Sequence, residues 1–145
     1  MVEAQQANTP PCFVFDTSAL ISIERDPNRR GLYHEMPHSP GAWLVVPSKV
    51  KAQLNGAGSP QTTKRWLAEG HTSTFSCDEE GQLYMRLRVS EPLLEDPDIQ
   101  GIVLAKQRDA VYVVEDGKAR QVAQSLGVSC MRAEQFFAIV NPQLL

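Results

Sequence analysis

The sequence CFVFDTSAL, at residues 12–20, is typical of a buried β-strand that turns directly into a helix. Its apolar run, Cys12–Phe15, is short and rich in strand-forming residues, as in the inner strands of parallel sheets. The polar segment Asp16–Ser18 ends that run and has the side chains that cap helices. Helix-compatible apolar residues follow at 19–23. A strand that ends on an acidic residue at the start of a helix predicts the first unit of an α/β fold.

The same order of strand and helix recurs along the rest of the chain. Further strand-forming stretches lie at residues 43–46, 72–75, 111–114 and 128–131. Helices are predicted between them: the clearest begins at Asp98, another follows Asp78 as its cap, and the last covers residues 133–140. This alternation predicts an α/β fold with a mostly parallel sheet and right-handed crossovers.

The length of 145 residues indicates one domain. We predict a flexible N-terminal tail at residues 1–11, which are polar, and a single domain at residues 12–145. No apolar run approaches the roughly 20 residues that span a bilayer, and the start of the chain lacks the pattern of a secretion signal. The three separated cysteines, Cys12, Cys77 and Cys130, are typical of free thiols, which favours a cytoplasmic location.

Acidic residues follow the predicted strands, at the end of the sheet where sites form in open α/β folds. Asp16 follows the first strand, Glu115 and Asp116 follow the strand at 111–114, and Asp98 begins a helix. Clustered carboxylates repel one another unless a cation is bound, and their hard oxygens suit Mg²⁺ or Mn²⁺. The alternative is that each of these residues only caps a helix.

Four blocks of the sequence, in order, resemble those of the PIN domain. They are the strand and polar turn at 13–20, the strand–helix step at 46–54, the helix at 98–105 and the strand with its acidic end at 111–116. The resemblance implies a three-layer α/β/α fold with a parallel sheet of about five strands. It also implies metal-dependent hydrolysis of RNA phosphodiester bonds. Many small members of that family are ribonuclease toxins of toxin–antitoxin pairs, which implies an antitoxin partner and a homodimer.

The resemblance also assigns site residues. Asp16, Asp98 and Asp116 are implied to be the catalytic acids and the ligands of Mg²⁺ or Mn²⁺. Four further residues are implied as supplementary members of the site: Ser18, Gln53, Asp96 and Glu115.

Two positions depart from the family pattern. Gln53 stands where the family usually has a glutamate, and Val114 stands where it usually has a threonine. A neutral amide can coordinate a cation through its carbonyl oxygen but brings no charge, so we expect weaker cation binding.

The charge balance limits how the protein would bind RNA. There are 14 basic and 17 acidic residues, a net charge of −3, whereas a protein that coats nucleic acid by bulk charge is strongly basic. Phosphate contacts would come from local basic residues, for which the candidates are Arg29, Arg30, Lys49 and Lys51, with Arg25, Lys64 and Arg65 beside them. Trp43 and Trp66 lie in apolar runs and are predicted to belong to the core.

Two other functions are alternatives to the nuclease. The domain is a binding module for RNA or for a protein if the change at Gln53 marks lost catalysis. The other alternative is a receiver or a small nucleotide-binding domain. No acidic pair precedes the first strand, and no glycine-rich phosphate-binding motif follows any strand, so this alternative has no support in the sequence.

Overall fold

The computed structural model of the chain describes residues 11–26, 43–54, 64 and 73–140. Five strands lie in these ranges: β1 Cys12–Phe15, β2 Trp43–Pro47, β3 Ser73–Phe75, β4 Val111–Val113 and β5 Cys130–Met131. The same ranges hold six helices: α1 Thr17–Arg25, α2 Ser48–Gln53, α3 Gln82–Ser90, α4 Asp96–Arg108, α5 Gly117–Ser125 and α6 Ala133–Val140. The predicted tail, apart from Pro11, and Trp66 lie outside the described residues.

All five strands are parallel, in the order β3-β2-β1-β4-β5, which confirms the predicted sheet. The central strand is β1, where Phe13 pairs with Leu44 of β2 and with Val111 of β4. Because the strands point the same way, their carboxyl ends meet at one edge of the sheet. The residues that follow β1 and β4 therefore lie side by side.

Helices cover both faces of this sheet. Phe13 and Phe15 point to the face covered by α1, α2 and α6, where each ring lies 5.0 Å from the ring of Phe136. Val14 points to the opposite face, covered by α3, α4 and α5. Alternate side chains of one strand thus supply two cores, and the predicted three-layer α/β/α architecture is confirmed. None of the described helices has the length and apolar character needed to cross a bilayer.

The predicted start of α4 at Asp98 is wrong by two residues. The helix begins at Asp96, because Glu95 is its N-cap and Pro97 occupies the first turn. The side chain of Asp98 accepts a hydrogen bond from the backbone N–H of Glu95 (2.9 Å), which closes a capping box. Asp98 is therefore held inside the first turn rather than in front of it.

Two other expectations are also wrong. Asp78 does not cap α3, which begins at Gln82; it accepts a hydrogen bond from the N–H of Glu80 (2.9 Å) and closes a turn. Trp43 is not a core residue: it is 41% exposed at the start of β2, where its indole N–H donates to the hydroxyl of Ser73 (2.9 Å). The sequence pattern did not show that β2 begins at the surface.

Candidate functional site

Asp16 lies at the carboxyl end of the central strand and is only 2% exposed. Its backbone N–H donates to the carbonyl of Val113 (2.9 Å), so β1 and β4 stay aligned where both end. Its side-chain Oδ2 accepts from the hydroxyl of Ser18 (2.6 Å) and from the backbone N–H of Ser18 (3.1 Å). Its Oδ1 accepts from the hydroxyl of Tyr112 (3.0 Å). Three hydrogen bonds thus satisfy a buried carboxylate, which would otherwise be costly to bury.

The hydroxyl of Ser18 joins the two loops that meet at this edge. Besides donating to Asp16, it accepts hydrogen bonds from the backbone N–H groups of Glu115 (3.0 Å) and Asp116 (3.2 Å). Ser18 belongs to the first turn of α1, and the two amides follow β4. One hydroxyl therefore fixes the loop that carries Asp116 relative to Asp16.

Asp98 meets this site from the N-terminal turn of α4. It lies close enough to Asp16 for the charge of that carboxylate to act on it. The pKa of Asp98 is raised to about 6, chiefly by burial. The charges of Asp16 and Asp116 raise it further, whereas the hydrogen bond from the backbone of Glu95 lowers it. The shift indicates that three acidic groups from distant parts of the sequence act on one another here.

Asp116 is the exposed member of this set. It is the N-cap of α5, and its side chain accepts from the backbone N–H of Lys118 (3.2 Å). Within the described ranges, no three His, Cys, Asp or Glu side chains are close enough together to form a complete metal site. Asp16 is the buried acid of this set and Asp98 the half-buried one, and Mg²⁺ is commonly held by one or two carboxylates with water as its other ligands. The pair therefore fits a hard divalent cation.

Two of the supplementary acids are engaged by other groups. Glu115 accepts from Nε of Arg132 (2.6 Å) and from the N–H of Ala133 (3.3 Å), at the start of α6. Asp96 accepts from the hydroxyl of Tyr84 (3.2 Å). Both carboxylates have hydrogen-bond partners outside the three acids of the site, so their contribution to a metal site stays a prediction.

Gln53, the residue that departs from the family pattern, lies beside the site. It is the last residue of α2, and its Oε1 accepts from the hydroxyl of Thr17 (2.5 Å). The neutral amide therefore contacts the residue that directly follows Asp16.

The basic candidates lie in different surroundings. Lys49 forms an ion pair with Glu79 (Nζ to Oε1, 2.8 Å), Lys51 is exposed at α2, and Arg29 and Arg30 lie outside the described residues.

A depression of about 430 Å³ opens next to Ser18, with a mixed basic, acidic and hydroxyl lining: Ser18, Ile21, Ser22, Arg25, Asp26, Glu115 and Arg132. Arg132 and the position of Arg25 at this depression were not foreseen from the sequence.

Two buried polar residues around the site were missed. The hydroxyl of Tyr112 contacts Asp16, although the residue lies in an otherwise apolar strand. Gln100, 1% exposed, accepts from the N–H of Lys49 (2.7 Å) and donates to the hydroxyl of Ser48 (3.0 Å), which joins α4 to the start of α2. The available signal was a polar side chain within an apolar run in each case.

A family model described as PIN domain matches residues 12–133. The chain belongs to the PIN-domain family. The match covers β1 to the start of α6, and with it every element that carries Asp16, Asp98 and Asp116. No match was found among curated protein sequences.

Solved structures show the same fold as this PIN domain. A PilT N-terminus domain protein from the hyperthermophilic archaeon Sulfolobus solfataricus P2 has a TM-score of 0.58 at 18% identity, over 90% of this chain and 93% of the other. PAE2754 from Pyrobaculum aerophilum has a TM-score of 0.59 at 15% identity, over 92% and 97%. VapBC2 from Rickettsia felis, solved bound to a DNA fragment from its promoter, has a TM-score of 0.54 at 12% identity, over 83% and 98%.

Proposed function

We propose that this PIN domain is an endoribonuclease that depends on Mg²⁺ or Mn²⁺. The observation that carries the proposal is the placement of three acids at the carboxyl edge of the sheet: Ser18 ties the loop of Asp116 to Asp16, and the charges of both act on Asp98. Carboxylates placed so close together favour a bound cation. A bound cation would supply an activated water and would stabilise negative charge on the attacked phosphate.

The chain's own residues have distinct tasks in this proposal. Asp16 and Asp98 hold the cation, and Asp116 adds negative charge from the start of α5. Ser18 keeps the loop of Asp116 against Asp16. The depression beside Ser18 offers the guanidinium of Arg25 to the phosphates of an RNA strand that enters the site.

The partner in this proposal is a protein of the antitoxin type, and the active form is a homodimer in the cytoplasm. Support comes from family membership and from the fold that the chain shares with VapBC2. Co-expression of the domain with its neighbouring genes, followed by purification of the tagged domain, tests for a stable partner.

An assay of RNA cleavage with added Mn²⁺ tests the catalytic proposal. The wild type is expected to cleave, and Asp16→Asn is expected to lose cleavage. Asp109→Asn is the matched control, because Asp109 is exposed at the far end of α4 and has the left-handed backbone that asparagine tolerates. Equal cleavage by the wild type and Asp16→Asn contradicts the proposal.

The second candidate function is a binding module for RNA or for a protein. The neutral Gln53, in contact with Thr17, favours it, since the site then has one carboxylate fewer than the family pattern. Calorimetry with Mn²⁺ separates the two functions. Absence of binding at millimolar Mn²⁺ supports the module, whereas binding supports the nuclease.

A further inference from the structure

Tyr112 places a hydroxyl group inside the core of the sheet. The residue lies in β4 and is fully buried (0% exposed), and its hydroxyl donates to Oδ1 of Asp16 at 3.0 Å. The other oxygen of that carboxylate, Oδ2, takes both hydrogen bonds from Ser18. The direction of Oδ1 is therefore set by Tyr112.

Gly101, in the middle of α4, makes room for this tyrosine. A Cβ at position 101 would lie 2.9 Å from Cε1 and 3.2 Å from the hydroxyl oxygen of Tyr112. Glycine weakens a helix interior relative to alanine, and here it permits the close approach of the ring. Gly101 lies one turn after Asp98, so the ring of Tyr112 passes beside the turn that carries Asp98 and ends at Asp16.

Tyr112 is a hydrogen-bond donor over the whole neutral range. Burial raises the pKa of its phenol well above the usual value, and the charges of Asp16 and Asp98 raise it further. A carboxylate oxygen has two lone-pair positions. Oδ1 of Asp16 can therefore accept from Tyr112 and still face a second group.

We infer that Tyr112 is a positioning residue: its hydroxyl, admitted by Gly101, holds Oδ1 of Asp16 so that Asp16 and Asp98 share one divalent cation. The inference rests on the proposed metal-dependent function. Tyr112 acts through Asp16 and is not itself a ligand. Groups that orient metal ligands in this way typically change metal affinity by about 10- to 100-fold when they are removed.

Calorimetry with Mn²⁺ on Tyr112→Phe tests this role, because the substitution removes the hydroxyl and keeps the ring. The dissociation constant is expected to rise about tenfold. Tyr84→Phe is the matched control, since Tyr84 is equally buried and its hydroxyl donates to the carboxylate of Asp96 (3.2 Å) instead. Its dissociation constant is expected to stay within about twofold of the wild type. Equal effects of the two substitutions, or none for Tyr112→Phe, overturn the inference.

The metal-free protein provides a second measurement. In protein labelled with ¹³C at aspartate, the carboxyl resonance of Asp16 is expected to shift in Tyr112→Phe and to stay in place in Tyr84→Phe. An unshifted resonance in both overturns the inference. Gly101→Ala is expected to weaken Mn²⁺ binding as Tyr112→Phe does, because the added Cβ displaces the ring of Tyr112. Wild-type Mn²⁺ affinity in Gly101→Ala also contradicts the inference.

These outcomes separate the inference from the proposed function. A wild type that binds no Mn²⁺ contradicts the proposed function and, with it, this role of Tyr112. If the wild type binds Mn²⁺ and Tyr112→Phe binds it with equal affinity, only the positioning role of Tyr112 is contradicted.

Discussion

Asp98 lies close enough to Asp16 for their charges to act on each other although both are acidic, and Asp16 is almost completely buried. The pKa of Asp98 is raised from 3.8 to about 6, by burial and by the charges of Asp16 and Asp116. The folded protein therefore binds a proton at Asp98 more tightly than the unfolded chain does. The resulting stabilisation is complete below the unfolded pKa and is lost as the pH rises through about 6.

Asp98→Asn is expected to stabilise the metal-free protein at neutral pH. Asparagine keeps an acceptor for the N–H of Glu95 and offers an N–H to Asp16 in place of a second negative charge. We expect the free energy of unfolding to rise by about 1–2 kcal/mol at pH 7.5, and by about half as much at pH 5, where Asp98 is protonated in the folded protein but still ionised in the unfolded chain. Urea denaturation with a chelator present measures both values.

Asp109→Asn is the control for that measurement, because it removes an exposed charge from the other end of α4. Its effect is expected to be small and similar at the two pH values. A gain for Asp98→Asn that is as large at pH 5 as at pH 7.5 contradicts the raised pKa of Asp98.

Ser18→Ala is expected to destabilise the protein, since it removes the acceptor of two backbone amides and a donor to buried Asp16. Polar groups left without partners cost about 1–3 kcal/mol each, and water at the exposed Asp116 reduces the total to about 2 kcal/mol. Thermal or urea denaturation measures the loss. Ser22→Ala, one turn further along α1, is the matched control. Equal stability of the two variants contradicts the connecting role of Ser18.

The sequence predicted the fold well because its apolar runs are short and each is followed by a turn or a helix signal. Asp16 was placed at the end of β1 for the same reason, whereas the start of α4 was predicted two residues late, at Asp98 instead of Asp96. Hydrogen bonds over long sequence separations were not predictable: Tyr112 reaches Asp16 from 96 positions away, and Gln100 reaches Lys49 from 51 positions away. The hydrophobic pattern shows that such residues are buried, but it does not show which polar group they meet.

Arg25→Ala is expected to weaken RNA binding through the loss of one phosphate contact. Arg25 lines the depression beside Ser18, so the slope of log affinity against log salt is expected to fall in magnitude by about one. Fluorescence anisotropy with single-stranded RNA, in the Asp16→Asn background to prevent cleavage, measures the slope. Arg86→Ala, on the exposed side of α3 in the opposite layer, is the control. An unchanged slope in Arg25→Ala contradicts the binding of RNA at this depression.

Gln53→Glu is expected to strengthen cation binding. The new carboxylate keeps the acceptor for the hydroxyl of Thr17 and adds a negative charge beside that residue, which directly follows Asp16. Because the affinity of hard cations rises with the charge of the ligand set, we expect the dissociation constant for Mn²⁺ to fall by about tenfold, which is about 1.4 kcal/mol. The metal-free variant is expected to be less stable at neutral pH, since a further carboxylate then joins the repulsive group.

Gln107→Glu is the matched control for this change, because Gln107 is exposed near the far end of α4. It adds the same charge to the whole molecule and is expected to leave Mn²⁺ affinity within about twofold of the wild type, as long-range charges are screened at physiological salt. Equal gains in the two variants would attribute the effect to net charge. A gain only in Gln53→Glu, together with faster Mn²⁺-dependent RNA cleavage, would identify position 53 as the one at which this PIN domain lost part of its cation affinity.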